Sequence, residues 1–234
     1  MSQIKDAMRA LAWALPASTA KNRLLRSIGH DIHPTAMARS CLVLRVTQVS
    51  MGANSRIGRW NLLKNMRRVS IGDHATIGRL NVFSSHPVYK RLYPDGAALE
   101  MGPHSKITSR HQFDCSGSIV IGEYSSVAGH ETKIVTHSID VRRNAQAAYP
   151  VRIGARSFVG ARCLLFGGAI LPDRSVLAGG SVLARARSGG LPGLWAGVPA
   201  ALRGPIDGEW FERSTTGTSR VFIPATGETV EDAL

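Results

Sequence analysis

Residues 153–183, IGARSFVGARCLLFGGAILPDRSVLAGGSVL, repeat with a period of six. Aliphatic side chains fall at Ile153, Val159, Leu165, Leu171, Leu177 and Leu183, and a small residue follows four positions after each of the first five, at Ser157, Cys163, Ala169, Ser175 and Ser181. An amphipathic helix repeats its apolar face every three or four residues, so it would scatter these side chains around its circumference. A strand alternates every two and would keep them on one face, but it would have to run through Gly154, Gly160, Gly167, Gly168 and Pro172 and far exceed the usual strand length. The chain must therefore turn. Each six-residue unit supplies one short flat strand and a corner, three units close a triangular coil, and successive coils stack as parallel strands. The aliphatic residue points into the prism and the small one fits where the corner pinches. The same phase recurs upstream in MGANSRIGRWNL from Met51, IGDHATIGRLNVF from Ile71, MGPHSKITSRHQF from Met101 and IGEYSSVAGHET from Ile121.

With these motifs in view, the sequence resembles the hexapeptide-repeat acyltransferases, a left-handed parallel β-helix family that includes galactoside, serine and polysaccharide O-acetyltransferases. The resemblance spans residues 30–205 and is sharpest in IGARSFVGARCLL, ILPDRSVLAGGSVLARA and GLWAGVPAALRG. Handedness is implied by the resemblance alone, because crossovers between parallel strands are normally right-handed. The expected architecture is all-β: a helical cap over residues 1–29, a β-helix over 30–205 and a C-terminal extension over 206–234.

Composition agrees with a narrow prism, since 44% of the chain is hydrophobic and only 6% aromatic. No apolar run approaches a membrane span and the N-terminus lacks a signal-peptide pattern, so a cytoplasmic location is expected. Cys41, Cys115 and Cys163 are odd in number and lack metal-ligand spacing; Cys163 falls in the small inward register and reads as packing. Ile4, Met8, Leu11 and Leu15 recur at helical spacing before Pro16, and the helices they predict would cap the open first coil or rest on an anionic membrane surface. Net charge is +13, yet residues 206–234 hold six acids and two arginines, so the body is more basic still. Its arginines lie singly along the coils without stacking aromatics or a recognition motif, which argues against nucleic acid. Coenzyme A phosphates, a nucleotide-linked sugar or acidic headgroups remain as anionic partners.

Two stretches interrupt the repeat, Ser84–Glu100 and Thr136–Pro150. The second carries the candidate chemistry. The resemblance implies acyl transfer from acetyl-coenzyme A, with no metal, and places a histidine before the last coils in a T-H-x-x-D-like context that Thr136, His137 and Asp140 match. Histidine suits a general base because its reference pKa lies near neutrality. Asp140 is the expected orienting carboxylate, with Glu131 or a backbone carbonyl as alternatives, and His130 and His111 are candidates for the acceptor pocket. For the donor groove the resemblance selects Ala161, Gly179, Ala184, Arg185 and Arg203, between subunits of a homotrimer. Phe158 stands where the family has tryptophan, Arg185 where it has lysine, and Ala184 where it has threonine. The expected reaction is O-acetylation of a sugar hydroxyl on a surface polysaccharide or its precursor, presented as a saccharide or nucleotide sugar. The alternatives are N-acetylation of an amino sugar, a zinc carbonic anhydrase using His104, His111, His130 or His137, and a non-catalytic trimeric scaffold.

Overall fold

The computed structural model describes residues 2–185 and 189–232. Two helices, α1 (Ser2–Ala14) and α2 (Thr19–Ser27), precede a prism of three parallel sheets. The first face stacks seven strands from Asp31–Ile32 to Ile170–Leu171, and the third stacks seven from Leu42–Leu44 to Val182–Leu183. The second runs from Met37–Ala38 to Val176–Leu177 and ends in the hairpin Leu194–Gly197 with Ala200–Gly204. The period of six is thus one face per hexad: Ile153 lies on the first face, Val159 on the second, Leu165 on the third, and Leu171 returns directly beside Ile153. All six quoted aliphatics are buried, and the upstream Met51, Ile71, Met101 and Ile121 stack with Ile153 in one column.

The corners are closed by small polar residues that satisfy the backbone where it turns. Between the first and second faces, Ser157 donates to Pro172 O at 2.7 Å and accepts from the Ser175 N–H at 3.2 Å. Between the second and third faces, Asn61, Asn81, His111, Thr132 and Cys163 form a ladder, each linked to the next coil. The Cys163 thiol donates to Ala178 O at 3.2 Å, in line with its packing assignment. A buried polar group without partners is costly, so this ladder fixes the register of the coils.

The cap is built differently from its sequence pattern. Trp13, Ala12 and Leu25 close the first coil, whereas Met8, Leu11 and Leu15 face outward; the side chain of Ile4 lies outside the described ones. The extension also has a definite place. It runs back along the edge between the first and second faces, where Arg156 donates to Phe211 O and Arg213 O, Arg213 to Tyr124 O, Arg174 pairs with Glu212, and the Thr216 hydroxyl donates to His74 O at 2.8 Å. Phe211 of the extension is itself buried. The extension therefore straps several coils together before ending in the hairpin Arg220–Ile223 with Glu228–Glu231.

Two buried histidines make the prism acid-sensitive. Burial lowers His30 to about 4, helped by Arg9, and lowers His111 to about 4, helped by His130. An unfolded histidine titrates near 6.5, so between about pH 6.5 and pH 4 the unfolded chain binds protons that the folded chain refuses. Stability should be full above that window and fall through it, by on the order of 2–3 kcal/mol for each histidine. Urea midpoints at pH 7 and pH 4.5 test this. His111→Asn, which places at this corner the residue found at Asn61 and Asn81, should flatten the dependence; an unchanged slope would clear His111 of the effect.

Candidate active site

Both interruptions of the repeat leave the prism at the same edge, between the third and first faces. The earlier one departs after the strand Val82–Ser84 and contains α3 (Pro87–Leu92); the later departs after Lys133–Val135 and contains the antiparallel hairpin His137–Asp140 with Ala145–Ala148. The coil between them turns at this edge without a long insertion, and the last residue of its third-face strand is Asp114, in register with Ser84 on one side and Val135 on the other. The two insertions therefore rise on either side of Asp114.

Asp114 accepts six hydrogen bonds. Its Oδ1 takes the Ser116 N–H at 3.2 Å and hydroxyl at 2.6 Å; its Oδ2 takes the Thr136 N–H at 2.9 Å, the Thr136 hydroxyl at 2.7 Å, the His137 N–H at 3.0 Å and His137 Nδ1 at 2.8 Å. Burial pushes this carboxyl upward, but the hydrogen bonds from Ser116, Thr136 and His137 outweigh it, and the group stays below its ordinary value. An ionised Asp114 has no proton to give, so Nδ1 of His137 carries the hydrogen, and in the neutral ring the lone pair falls on Nε2. The imidazole is 38% exposed, and Nε2 has no partner among the described residues. A reacting group can therefore reach it.

Several sequence expectations are redistributed. Asp140 does not touch His137: successive strand residues point to opposite faces, and three positions along the hairpin its carboxylate pairs with Arg143 at 2.6 Å. Glu131, the alternative, is held by Arg162 at 3.0 Å on another edge. His111 is no pocket residue; it is buried in the corner ladder, with Nδ1 accepting from the Thr132 N–H at 3.2 Å and Nε2 facing Thr108 Oγ1 at 2.8 Å. His130 is exposed on that same edge, away from His137. His104 is stacked between His74 and Tyr124 with both ring centroids 4.7 Å away, so His104, His111 and His137 occupy three different edges. Among the described residues no group of three metal-ligating side chains converges.

In place of those residues the first insertion contributes. Tyr89 of α3 is buried, its ring centroid 5.6 Å from that of His137, and its hydroxyl donates to Gln146 Oε1 of the hairpin at 3.2 Å. His86, Val88, Tyr89, Leu92, Tyr93 and Gln146 line a cavity of about 340 Å³, and Tyr89 is the wall of it that meets the imidazole. The signal for Asp114 was present in the sequence as an acid one coil before Val135, but it emerges only when the coils are aligned through both insertions.

The donor-groove candidates are spread over the surface. Ala161 and Gly179 sit in successive coils between the second and third faces, with the Gly180 N–H donating to Ala161 O at 2.9 Å. A Cβ at Gly160 would meet Gly179 N at 2.6 Å, so this edge is closely packed backbone, while Gly180 opens on free space. Ala184 and Arg185 lie across the third face, after Val182–Leu183, where the Arg185 guanidinium covers the Tyr149 ring at 3.9 Å. Arg203 lies on the terminal hairpin, its Nε donating to Ala196 O at 3.2 Å. One protomer does not gather the five into one groove.

This prism, with its edge insertions and terminal hairpin, is a left-handed parallel β-helix, the fold of the hexapeptide-repeat transferases. Residues 150–185 match the family model described as the hexapeptide repeat of succinyl-transferase. A variant of AntD, an N-acyltransferase from Bacillus cereus solved with dTDP-4-amino-4,6-dideoxyglucose and coenzyme A, superposes with a TM-score of 0.53 at 12% identity, covering 84% of this chain and 94% of that one. The polysialic acid O-acetyltransferase OatWY gives a TM-score of 0.52 at 18% identity, covering 75% and 84%. No curated protein matches the chain in sequence.

Proposed function

We propose that the protein is an acetyl-coenzyme A-dependent acyltransferase that acetylates a sugar hydroxyl of a surface polysaccharide or its precursor. The observation that carries this reading is the Asp114–His137 pair, whose Nε2 has no partner among the described residues and whose ring meets Tyr89, a wall of the cavity between the two insertions. The donor supplies an acetyl thioester. His137 takes the proton of the acceptor hydroxyl as its oxygen attacks the acyl carbon, and returns a proton to the sulfur as the carbon–sulfur bond breaks, so the imidazole ends as it began. Asp114 stabilises the transient imidazolium without itself becoming protonated. Direct transfer is favoured over an acyl-enzyme because no serine or cysteine has a nucleophile-elbow setting, and Cys41, Cys115 and Cys163 are buried, which raises all three thiols away from the reactive thiolate.

The donor residues fit a ligand that needs close approach and a cation: small backbone at Ala161 and Gly179, and Arg185 with no carboxylate partner among the described residues. Their placement on separate edges supports a homotrimer in which adjacent protomers complete the groove; an active monomer by light scattering would overturn it. We place the protein in the cytoplasm, where the donor is made. Arg185→Ala should raise the acetyl-coenzyme A concentration needed for saturation more than it slows turnover, because a phosphate contact equal in ground and transition states is uniform binding. Salt should shrink the difference. An unchanged donor saturation curve would remove Arg185 from the groove.

A second reading, N-acetylation of an amino sugar, is supported by the likeness to AntD. Mass spectrometry of nucleotide sugars and oligosaccharides incubated with the protein and acetyl-coenzyme A tests both. A product heavier by one acetyl group is expected; cleavage by hydroxylamine identifies an ester, and resistance an amide. Absence of any acetylated product together with failure to bind coenzyme A would sink the acyltransferase reading and revive the scaffold.

A further inference from the structure

The stripe that makes α1 amphipathic is turned away from the prism. Met8, Leu11 and Leu15 are 54%, 71% and 44% exposed, while the seal over the first coil is made by Trp13 and Leu25. The stripe is held in this orientation. Buried Lys21 donates from Nζ to Trp13 O at 2.8 Å, Leu15 O at 2.8 Å and Arg39 O at 3.1 Å, and the Ser40 hydroxyl donates to Leu15 O at 3.1 Å.

From Leu15 the apolar surface continues along the edge between the second and third faces. The Trp60 N–H donates to Ser40 O at 2.8 Å and the Leu80 N–H to Arg59 O at 3.2 Å, which puts Trp60, 69% exposed, and Leu80 on successive coils above the cap. Both have left-handed backbone, φ 63° and 61°, a region bulky side chains rarely occupy. Immediately before them run Arg59 and Arg79, with Arg39 one coil earlier, and these three with Arg56 line an open cleft of about 400 Å³. None of the four arginines belongs to an ion pair among the described residues.

We propose that this end of the molecule docks on an anionic lipid bilayer. Leu11, Leu15 and Trp60 enter the headgroup–acyl boundary, and Arg39, Arg56, Arg59 and Arg79 meet lipid phosphates. Apolar helix stripe, tryptophan and clustered unpaired cations are the three ingredients of interfacial binding, and here they are contiguous. A soluble polyanion would engage the arginines but leave Leu11, Leu15 and Trp60 in water, so the bilayer accounts for more of the surface.

The test is co-sedimentation of the full chain with vesicles of phosphatidylcholine alone and of phosphatidylcholine mixed with phosphatidylglycerol. Binding to the mixed vesicles only, weakening with salt, is expected. Leu11→Ser with Leu15→Ser should weaken binding by about tenfold or more, and each of Arg59→Gln and Arg79→Gln by about fivefold. Three results would overturn the proposal. The protein stays in the supernatant with both vesicle types; or inorganic polyphosphate competes while the leucine variant binds vesicles like the parent, which marks a soluble-polyanion site; or the leucine variant loses protomers by light scattering, which shows that a second copy covers the stripe.

Discussion

His137→Ala is expected to lower turnover by about 10²- to 10⁴-fold, the usual contribution of a positioned general base, and to leave the fold and donor binding intact. The imidazole belongs to an edge hairpin outside the hexad register and packs nothing into the prism, so its removal should move the thermal midpoint little. His137→Gln separates shape from basicity. Glutamine retains hydrogen-bonding capacity at this position but takes no proton at neutral pH, so it should be about as slow as alanine. The measurement is steady-state turnover with the acceptor found by mass spectrometry, beside thermal denaturation. Near-normal turnover in His137→Ala would remove the base from the proposed chemistry.

Asp114→Asn should damage both catalysis and stability. Of the six hydrogen bonds the carboxylate accepts, two reach Oδ1 and four reach Oδ2. Whichever way an amide is turned, its NH₂ faces at least one backbone N–H, because the hydroxyls can rotate to accept but an amide N–H cannot, and that unmatched donor in a mostly buried site costs about 1–3 kcal/mol. The imidazole also loses the anion that fixes its tautomer and stabilises its charged form, a change that costs up to about 10⁴-fold where a triad carboxylate is neutralised. Asp140→Asn is the control: that carboxylate is engaged with Arg143 on the other side of the strand, so turnover and melting should stay close to the parent. If Asp140→Asn were the slower of the two, the assignment of Asp114 as positioning residue would fail.

The contrast between these two carboxylates shows where a linear reading stops. Asp140 completes the T-H-x-x-D-like context and lies three residues from His137. Asp114 is 23 residues from His137 but only one coil away, because a β-helix turns one circuit of sequence into a single strand spacing. Tyr89 and Gln146 are still farther apart in the chain, and meet because both insertions leave from the same edge. The apolar stripe of α1 was legible as a period, but its direction was not. A helix offers several faces to a coil end, and here the opening is filled by the large Trp13 together with Leu25 of the second helix, while Leu11 and Leu15 stay exposed.

What the sequence determined by itself is the prism. The hexad period forces a turn every six residues, three hexads bring Leu171 back beside Ile153, and small positions mark the corners of the regular run 153–183, since each of these follows from local spacing and from the volume available inside a coil. It also located the segment that bears His137, because a break in so strict a period is visible without coordinates. The tertiary structure decided which carboxylate holds that histidine, which insertion walls the cavity, which face of α1 meets solvent, and that the acidic C-terminal extension straps the first-to-second edge. All four depend on contacts between residues far apart in the chain, whose partners are chosen by the stacking of coils and by which donors and acceptors that stacking leaves unpaired.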